Sequence, residues 1–241
     1  MPLNLPGSVV LGPQSSGTAA PASLTAYLAS IGKASWYGGY LAGVSMFSSS
    51  SGSGSAVTTD GATVGSWLPY LSAGGWTSLF GQGNSAKKPR FGTNRNGKPG
   101  LYGDADIRNC TLNSNTALNL NYTVLMSAWV TFASGARVFS HYTNSMEFVC
   151  PASSTASPVI YTSSTAYAAS ASSVIQTVPV NSTTSAYRVG WSSTGTGHYN
   201  SSPALFSASN NTSYSSSTIH ELWFVPWLTP SEISMALTFL A

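Results

Sequence analysis

The chain has 241 residues, a length that one all-β sandwich can fill. Hydrophobic residues make up 42% and charged residues only 6%, against about 25% charged in an average soluble domain, so solubility must come from the abundant Ser, Thr and Asn. The net charge of +3 is too small to mark a general nucleic-acid binder, and an aromatic content of 12% excludes a largely disordered chain despite the many Ser and Gly residues.

The first stretch, MPLNLPGSVVLGPQ, has no basic start and no continuous apolar run, so it does not read as a secretory signal. No segment approaches the roughly 18 apolar residues that a membrane span needs. Synthesis in the cytoplasm, with no membrane partner, is the expectation. Pro2, Pro6, Pro13 and Pro21 predict an extended arm, because proline fixes φ and removes a backbone donor. Leu24, Leu28 and Ile31 then fall on one face of a short helix closed by Gly32. Residues 1–35 therefore read as an arm with a small helix, which either grips a neighbouring subunit or straps the protein's own body. Residues 36–241 read as the body.

Strand signals dominate that body. Ser48 to Ser55 predicts a flexible loop. Val57–Thr59 and Ala62–Val64 flank Asp60-Gly61, which predicts a tight hairpin with positive φ at both turn positions. Asn96-Gly97 predicts a second such turn. Tyr122, Val124, Met126, Ala128, Val130 and Phe132 alternate with a period of two, as do Val174, Gln176, Val178 and Val180, and again Tyr187, Val189 and Trp191. Ile219 to Val225 is a nearly continuous apolar run, which predicts a strand buried on both faces. The period then changes. Thr229-Pro230-Ser231-Glu232 is a capping box with Pro at the first helical position, and Ile233, Leu237 and Leu240 follow at helical spacing. The fold class is all-β, closed by one short helix.

Three blocks carry a family resemblance. They are Thr59-Asp60-Gly61 through Ser66-Trp67 to Gly74-Gly75-Trp76, then Lys88-Pro89-Arg90-Phe91 through Asn96-Gly97-Lys98-Pro99 to Leu101-Tyr102-Gly103-Asp104, and finally Glu221-Leu222-Trp223-Phe224-Val225 with Leu228-Thr229-Pro230-Ser231-Glu232-Ile233. In this order they resemble the concanavalin A-like, laminin-G-like jelly-roll domains frequent in bacterial surface proteins and phage virion proteins. The resemblance implies a concanavalin A-like jelly-roll β-sandwich over residues 36–241. The chain departs from the pattern at Pro69-Tyr70 and Tyr102-Gly103, where relatives carry an acidic residue and Phe-Asp.

Some sandwiches of this shape are glycosidases, whose two carboxylates lie about 5–9.5 Å apart. The chain holds six acidic residues, Asp60, Asp104, Asp106, Glu147, Glu221 and Glu232. Only Asp104 and Asp106 have suitable spacing, while Asp60 belongs to a turn and Glu232 to the capping box. Asp104, Asp106 and Asn109 could offer hard oxygens to Ca²⁺, but backbone hydrogen bonding in a turn explains them better, so no metal or cofactor is expected. His141, His198 and His220 are scattered, without ligand spacing. Cys110 and Cys150 allow one disulfide, but two buried thiols are favoured. The sequons at Asn109, Asn121, Asn181, Asn200, Asn210 and Asn211 read as chance in an Asn/Ser/Thr-rich chain.

Two candidate surfaces remain. Lys87, Lys88, Arg90, Arg95 and Lys98 gather five of the nine basic residues and could meet an acidic patch on a partner, although a solvated loop explains them too. Trp36, Tyr37, Tyr40, Trp76 and Tyr199 could stack on sugar rings, although core packing explains most aromatic residues of a sandwich. The leading expectation is a non-enzymatic phage virion protein, a capsid decoration, spike or tail-associated subunit. Its partners would be capsid or tail proteins of the same particle and copies of itself, with a trimer favoured. A lectin-like module that binds surface glycans is the alternative.

Overall fold

The computed structural model describes residues 21–95, 97–103, 110–112, 121–131, 136–141, 146–150, 153, 159–161, 172–179, 184–193, 203–206 and 215–240. In chain order these form α1 (Leu24–Ser30), β1 (Tyr37–Leu41), β2 (Met46–Phe47), β3 (Ser66–Trp67), β4 (Leu71–Ala73), β5 (Phe80–Gly81), β6 (Arg90–Arg95), β7 (Lys98–Tyr102) and β8 (Cys110–Leu112). They continue with β9 (Tyr122–Thr131), β10 (Arg137–His141), β11 (Met146–Val149), β12 (Val159–Tyr161), β13 (Ser172–Pro179), β14 (Thr184–Ser193), β15 (Ala204–Leu205), β16 (Thr218–Pro226) and α2 (Pro230–Leu237). The protein is all-β in class, with one helix near each end of the described chain.

The strands build two 8-stranded sheets. The first runs β13-β14-β9-β16-β1-β4, and the β6–β7 hairpin joins it through β7 on β16. The second runs β12-β11-β10-β15-β8-β5-β3-β2. The long pairings β13–β14, β14–β9 and β9–β16 are all antiparallel. One core joins the two sheets. Phe80 and Phe139 of the second sheet meet Phe224 of the first at ring-centroid distances of 6.2 Å each, and Phe148 meets Tyr187 at 6.3 Å. Edge-on and tilted rings such as these add favourable quadrupole contacts to the burial of apolar area.

The alternation in β9 points Tyr122, Val124, Met126, Ala128 and Val130 into this inter-sheet core. Phe132 lies outside the described residues. The opposite face of β9 is buried as well, because Leu125 enters a second, outer core. Strand β16 behaves as its apolar run predicts: Leu222 and Phe224 face inward between the sheets, while Trp223 and Val225 face the outer core. Strand β14 likewise buries Tyr187, Val189 and Trp191. Val174 and Gln176 of β13 are half-buried, and Val180 lies outside the described residues.

The outer core is the helical layer. In α2 the Thr229 hydroxyl accepts from the Glu232 amide at 3.4 Å while the Glu232 carboxylate accepts from the Thr229 amide at 2.7 Å, so the capping box forms with Pro230 in its first turn. Ile233, Leu237 and Leu240 are buried against Leu125, Trp223 and Val225. Helix α1 is capped by the Ser23 hydroxyl and ends before Gly32, whose φ of 71° suits glycine. It packs beside α2: Tyr27 stacks on Phe239 at 5.6 Å and donates to the Glu232 carbonyl at 3.3 Å. Helix α1 thus rests on the protein's own body. The arm over residues 1–20 lies outside the described residues.

Two local expectations change. Asp60-Gly61 does turn, with the Ala62 amide donating to the Thr59 carbonyl at 3.1 Å, but only Gly61 has positive φ, 79°. Its flanks do not form a hairpin with each other. Instead Ala62 and Gly61 exchange bonds with Phe91, and the Asp60 carboxylate accepts from the Thr93 amide at 2.8 Å, so the turn is stitched onto β6. The Ser48–Ser55 segment is also fastened rather than loose. Ser66 donates from its hydroxyl to the Ser49 carbonyl at 2.6 Å, and Lys88 donates to the Ser48 carbonyl at 2.7 Å. The Asn96 half of the Asn96-Gly97 turn lies outside the described residues, while Gly97 has the expected positive φ of 66°.

Candidate functional site

The aromatic candidates meet on a glycine pair. In β1 the consecutive residues Gly38 and Gly39 expose opposite faces of the strand, and a tryptophan lies over each. A methyl group at Gly38 would collide with the Trp76 indole, and one at Gly39 would sit 2.7 Å from Trp223. Trp76 therefore reaches the strand backbone itself. It is 2% exposed, stacks on Phe224 at 5.2 Å and donates its indole N–H to the Tyr40 hydroxyl at 2.9 Å. Tyr40 in turn donates to the Ser78 carbonyl at 2.7 Å, and burial pushes its phenol well above the usual range. A ring so enclosed has no face to offer a sugar, so Trp76 and the fully buried Tyr40 are corrected from candidate platforms to core residues. Trp36 is half-buried and lies over Trp76 at 5.5 Å with an interplanar angle of 10°. Tyr37 is half-buried against Trp223 at 5.9 Å. Tyr199 lies outside the described residues.

The basic candidates do not form one loop. Lys87 ends a 3-10 turn over Ser85–Lys87, Arg90 and Arg95 belong to β6, and Lys98 begins β7. Two of them hold backbone: Lys88 ties down the Ser48 loop, and an Arg90 guanidinium nitrogen donates to the Gly61 carbonyl at 3.4 Å. Lys87 is half-buried and Lys98 is exposed. Lys98 pairs with Arg95 across the hairpin, and the Arg95 side chain lies outside the described residues.

Every described carboxylate is engaged structurally. Asp60 clips β6 and Glu232 caps α2, as above. Glu147 pairs with Arg137 at 2.9 Å. Glu221, 6% exposed, accepts from the Trp223 indole at 2.7 Å and holds Tyr70, whose phenol is pushed up to about 12 by burial and by that carboxylate. Asp104, Asp106 and Asn109 lie outside the described residues. Among the described residues no three His, Cys, Asp or Glu side chains gather into a metal-binding group.

The histidines on described strands are structural. His141 is buried and shares a 2.5 Å hydrogen bond with the Tyr122 hydroxyl. His220 is 4% exposed and bonds through Nδ1 to the Pro99 carbonyl at 2.8 Å, and burial holds its imidazole below the usual range. His198 lies outside the described residues. Cys150 is a free, buried thiol between the Ser215 and Ser217 hydroxyls, and burial pushes its pKa up. The Cys110 side chain lies outside the described residues.

One feature escapes sequence reading. A cavity of about 540 Å³ opens beside the β6–β7 hairpin, lined by Leu41–Val44, Thr58, Phe91, Lys98, Pro99 and His220. Its walls come from segments as far apart as Leu41 and His220, so no local pattern announces it. Among the described residues no helix is long and apolar enough to cross a membrane. The chain matches no known protein family, no curated protein and no solved structure.

Proposed function

We propose that this chain is a non-enzymatic building module, a virion structural protein of the decoration, spike or tail-associated kind, with concanavalin A-like jelly-roll connectivity. The observation that carries the reading is the employment of the described carboxylates. Asp60, Glu147, Glu221 and Glu232 each hold a turn, strand or helix in place, which leaves none of them placed as a paired acid and base. The near absence of charge supports it, since subunits with few ions dock through apolar area with little desolvation penalty. Partners in this reading are neighbouring capsid or tail proteins and copies of the same chain, with a trimer favoured. The basic residues Lys87 and Lys98 would lie at such a contact.

The test is the native mass of the purified chain at low salt and at about 1 M NaCl, where screening acts within about 3 Å. An oligomer whose mass is unchanged by salt is expected. A monomer in both conditions, or an oligomer that salt dissociates, overturns the assembly reading.

The lectin-like alternative rests on one observation, the half-buried Trp36 stacked on Trp76. A glycan array with wild type and Trp36→Ala separates the readings. Saturable glycan binding lost in the variant, by a chain that stays monomeric, favours the lectin.

A further inference from the structure

The cavity beside the β6–β7 hairpin is constructed by a break in strand regularity. Strand β16 pairs with β9 through Ile219 opposite Ala128 and then Glu221 opposite Ser127, so His220 is an extra residue. On both sides of it Ile219, Leu222 and Phe224 face the inter-sheet core, a pattern that strict alternation from Ile219 would forbid. This bulge releases His220 from the core and sets it in the cavity wall; such bulges are common beside binding sites. The His220 carbonyl accepts from the Ala42 amide at 2.9 Å, which hangs the opposite wall, Ala42–Val44, from the same bulge.

That wall is held in an unusual conformation. Gly43 has a φ of 84° and Ser45, a non-glycine residue, a φ of 54°. The Ser45 carbonyl is fixed by the Leu68 amide at 2.9 Å. Left-handed backbone at a residue with a side chain persists where surroundings enforce it, and it concentrates at ligand sites. The consequence here is that Val44 stays 39% exposed, one of three large hydrophobic residues so exposed among the described residues.

The lining has a specific chemical character. Leu41, Ala42, Val44, Phe91 and Pro99 make it apolar. The Pro99 carbonyl can only accept, so His220 Nδ1 carries the proton, and Nε2 of the neutral ring is a bare acceptor. Nε2 is buried and has no hydrogen-bond partner among the described residues. Lys98 is the cationic residue of the lining, and no described carboxylate pairs with it. The volume of about 540 Å³ falls within the roughly 300–1,000 Å³ of small-molecule sites.

We propose that this cavity binds a small amphipathic carboxylate, with its apolar body between the Ala42–Val44 wall, Phe91 and Pro99 and its anionic head at Lys98. Charge complementarity selects the anion: the walls are uncharged and Lys98 supplies the unpaired cation at the site, whereas His220 Nε2, an acceptor like the carboxylate, makes no hydrogen bond to the head and serves as wall for the body. The site shares Lys98 with the contact proposed above, while its other lining residues belong to neither the assembly nor the glycan reading.

The experiment is isothermal titration calorimetry with octanoate, decanoate and decanol below their micelle or solubility limits, accompanied by NMR of the His220 ring. Wild type, Lys98→Met and Thr58→Trp are compared, the last to fill the cavity from an exposed position. Saturable 1:1 binding of decanoate is expected, tighter than octanoate, with about a fourfold gain per added buried methylene as the upper limit. Lys98→Met should weaken decanoate by about three- to fivefold and leave decanol unchanged, while Thr58→Trp weakens both. The His220 ring signals should shift on decanoate addition in wild type. Absence of saturable binding, binding undiminished by Thr58→Trp, or a decanoate affinity indifferent to Lys98→Met each overturns the proposal. Unshifted His220 signals at saturation overturn it as well, because the bound molecule then lies elsewhere.

Discussion

The inter-sheet core and the outer helical core share the same central strands but are packed on different principles. Between the sheets, aromatic rings converge on Phe224, which meets Tyr40, Trp76, Phe80, Tyr122 and Phe139. Beneath the helices, aliphatic residues such as Leu28, Leu228, Ile233 and Leu237 dominate, with Trp223 as the large ring. The first core joins residues distant in sequence and needs close-fitting shapes, down to the glycine slot under Trp76. The second is assembled largely from two short helices, whose stripes local periodicity specifies. A strand serving both, such as β16, must be apolar at nearly every position.

The largest effect that sharpens this contrast is Phe224→Ala. Truncating a ring at the centre of the aromatic cluster should cost about 3–5 kcal/mol, read as a lower denaturation midpoint in urea. Leu237→Ala in the outer core should cost about 2–3 kcal/mol by the same measurement, because helix α2 can settle into part of the void. The two variants together test whether the cores unfold as one unit. Coincident fluorescence and far-ultraviolet circular dichroism transitions in both are expected, and a separate early transition in Leu237→Ala would show the helical layer melting alone.

Removing the cap of α2 with Thr229→Ala should cost about 1 kcal/mol, since the Glu232 amide loses its acceptor. The smallest effect is that of pH. His220 is held below its ordinary value of 6.5 by burial, so the unfolded chain takes up a proton that the folded chain refuses. Its contribution to stability is therefore complete above that value and is lost as pH falls from 6.5 toward the folded pKa. Urea midpoints measured downward through this window should fall less steeply in His220→Gln than in wild type. An identical slope would show that other groups govern the acid response.

What could be read from sequence was local. The capping box of α2, the short α1 and the alternating strands β9 and β14 follow from periodicity and from residues within one turn of each other. Partner choice was not legible. Asp60-Gly61 has the composition of a self-contained hairpin, yet its amide, carbonyl and carboxylate bonds go to β6, about thirty residues later. Trp76 follows two glycines and looks like an exposed platform, but the slot that receives it is Gly38 of β1, distant in sequence. The basic residues looked like one surface because they are adjacent in sequence, and the strand and turn boundaries between them divide their tasks. The cavity was invisible for a related reason: the His220 bulge breaks a period within an apolar run, and no residue type marks the break.

The position of β16 in the first sheet bears on how the protein is made. It is the last strand to be synthesised among those described, yet it lies between β9 and β1 and also receives β7. A growing chain therefore carries these three partners with open edges until residues 218–226 have left the ribosome. Unpaired edges are templates for association with other chains, and charged side chains that commonly guard them are scarce here. The nascent protein should consequently depend on holding chaperones, or on slow and cool expression, far more than the packed core of the finished molecule would suggest.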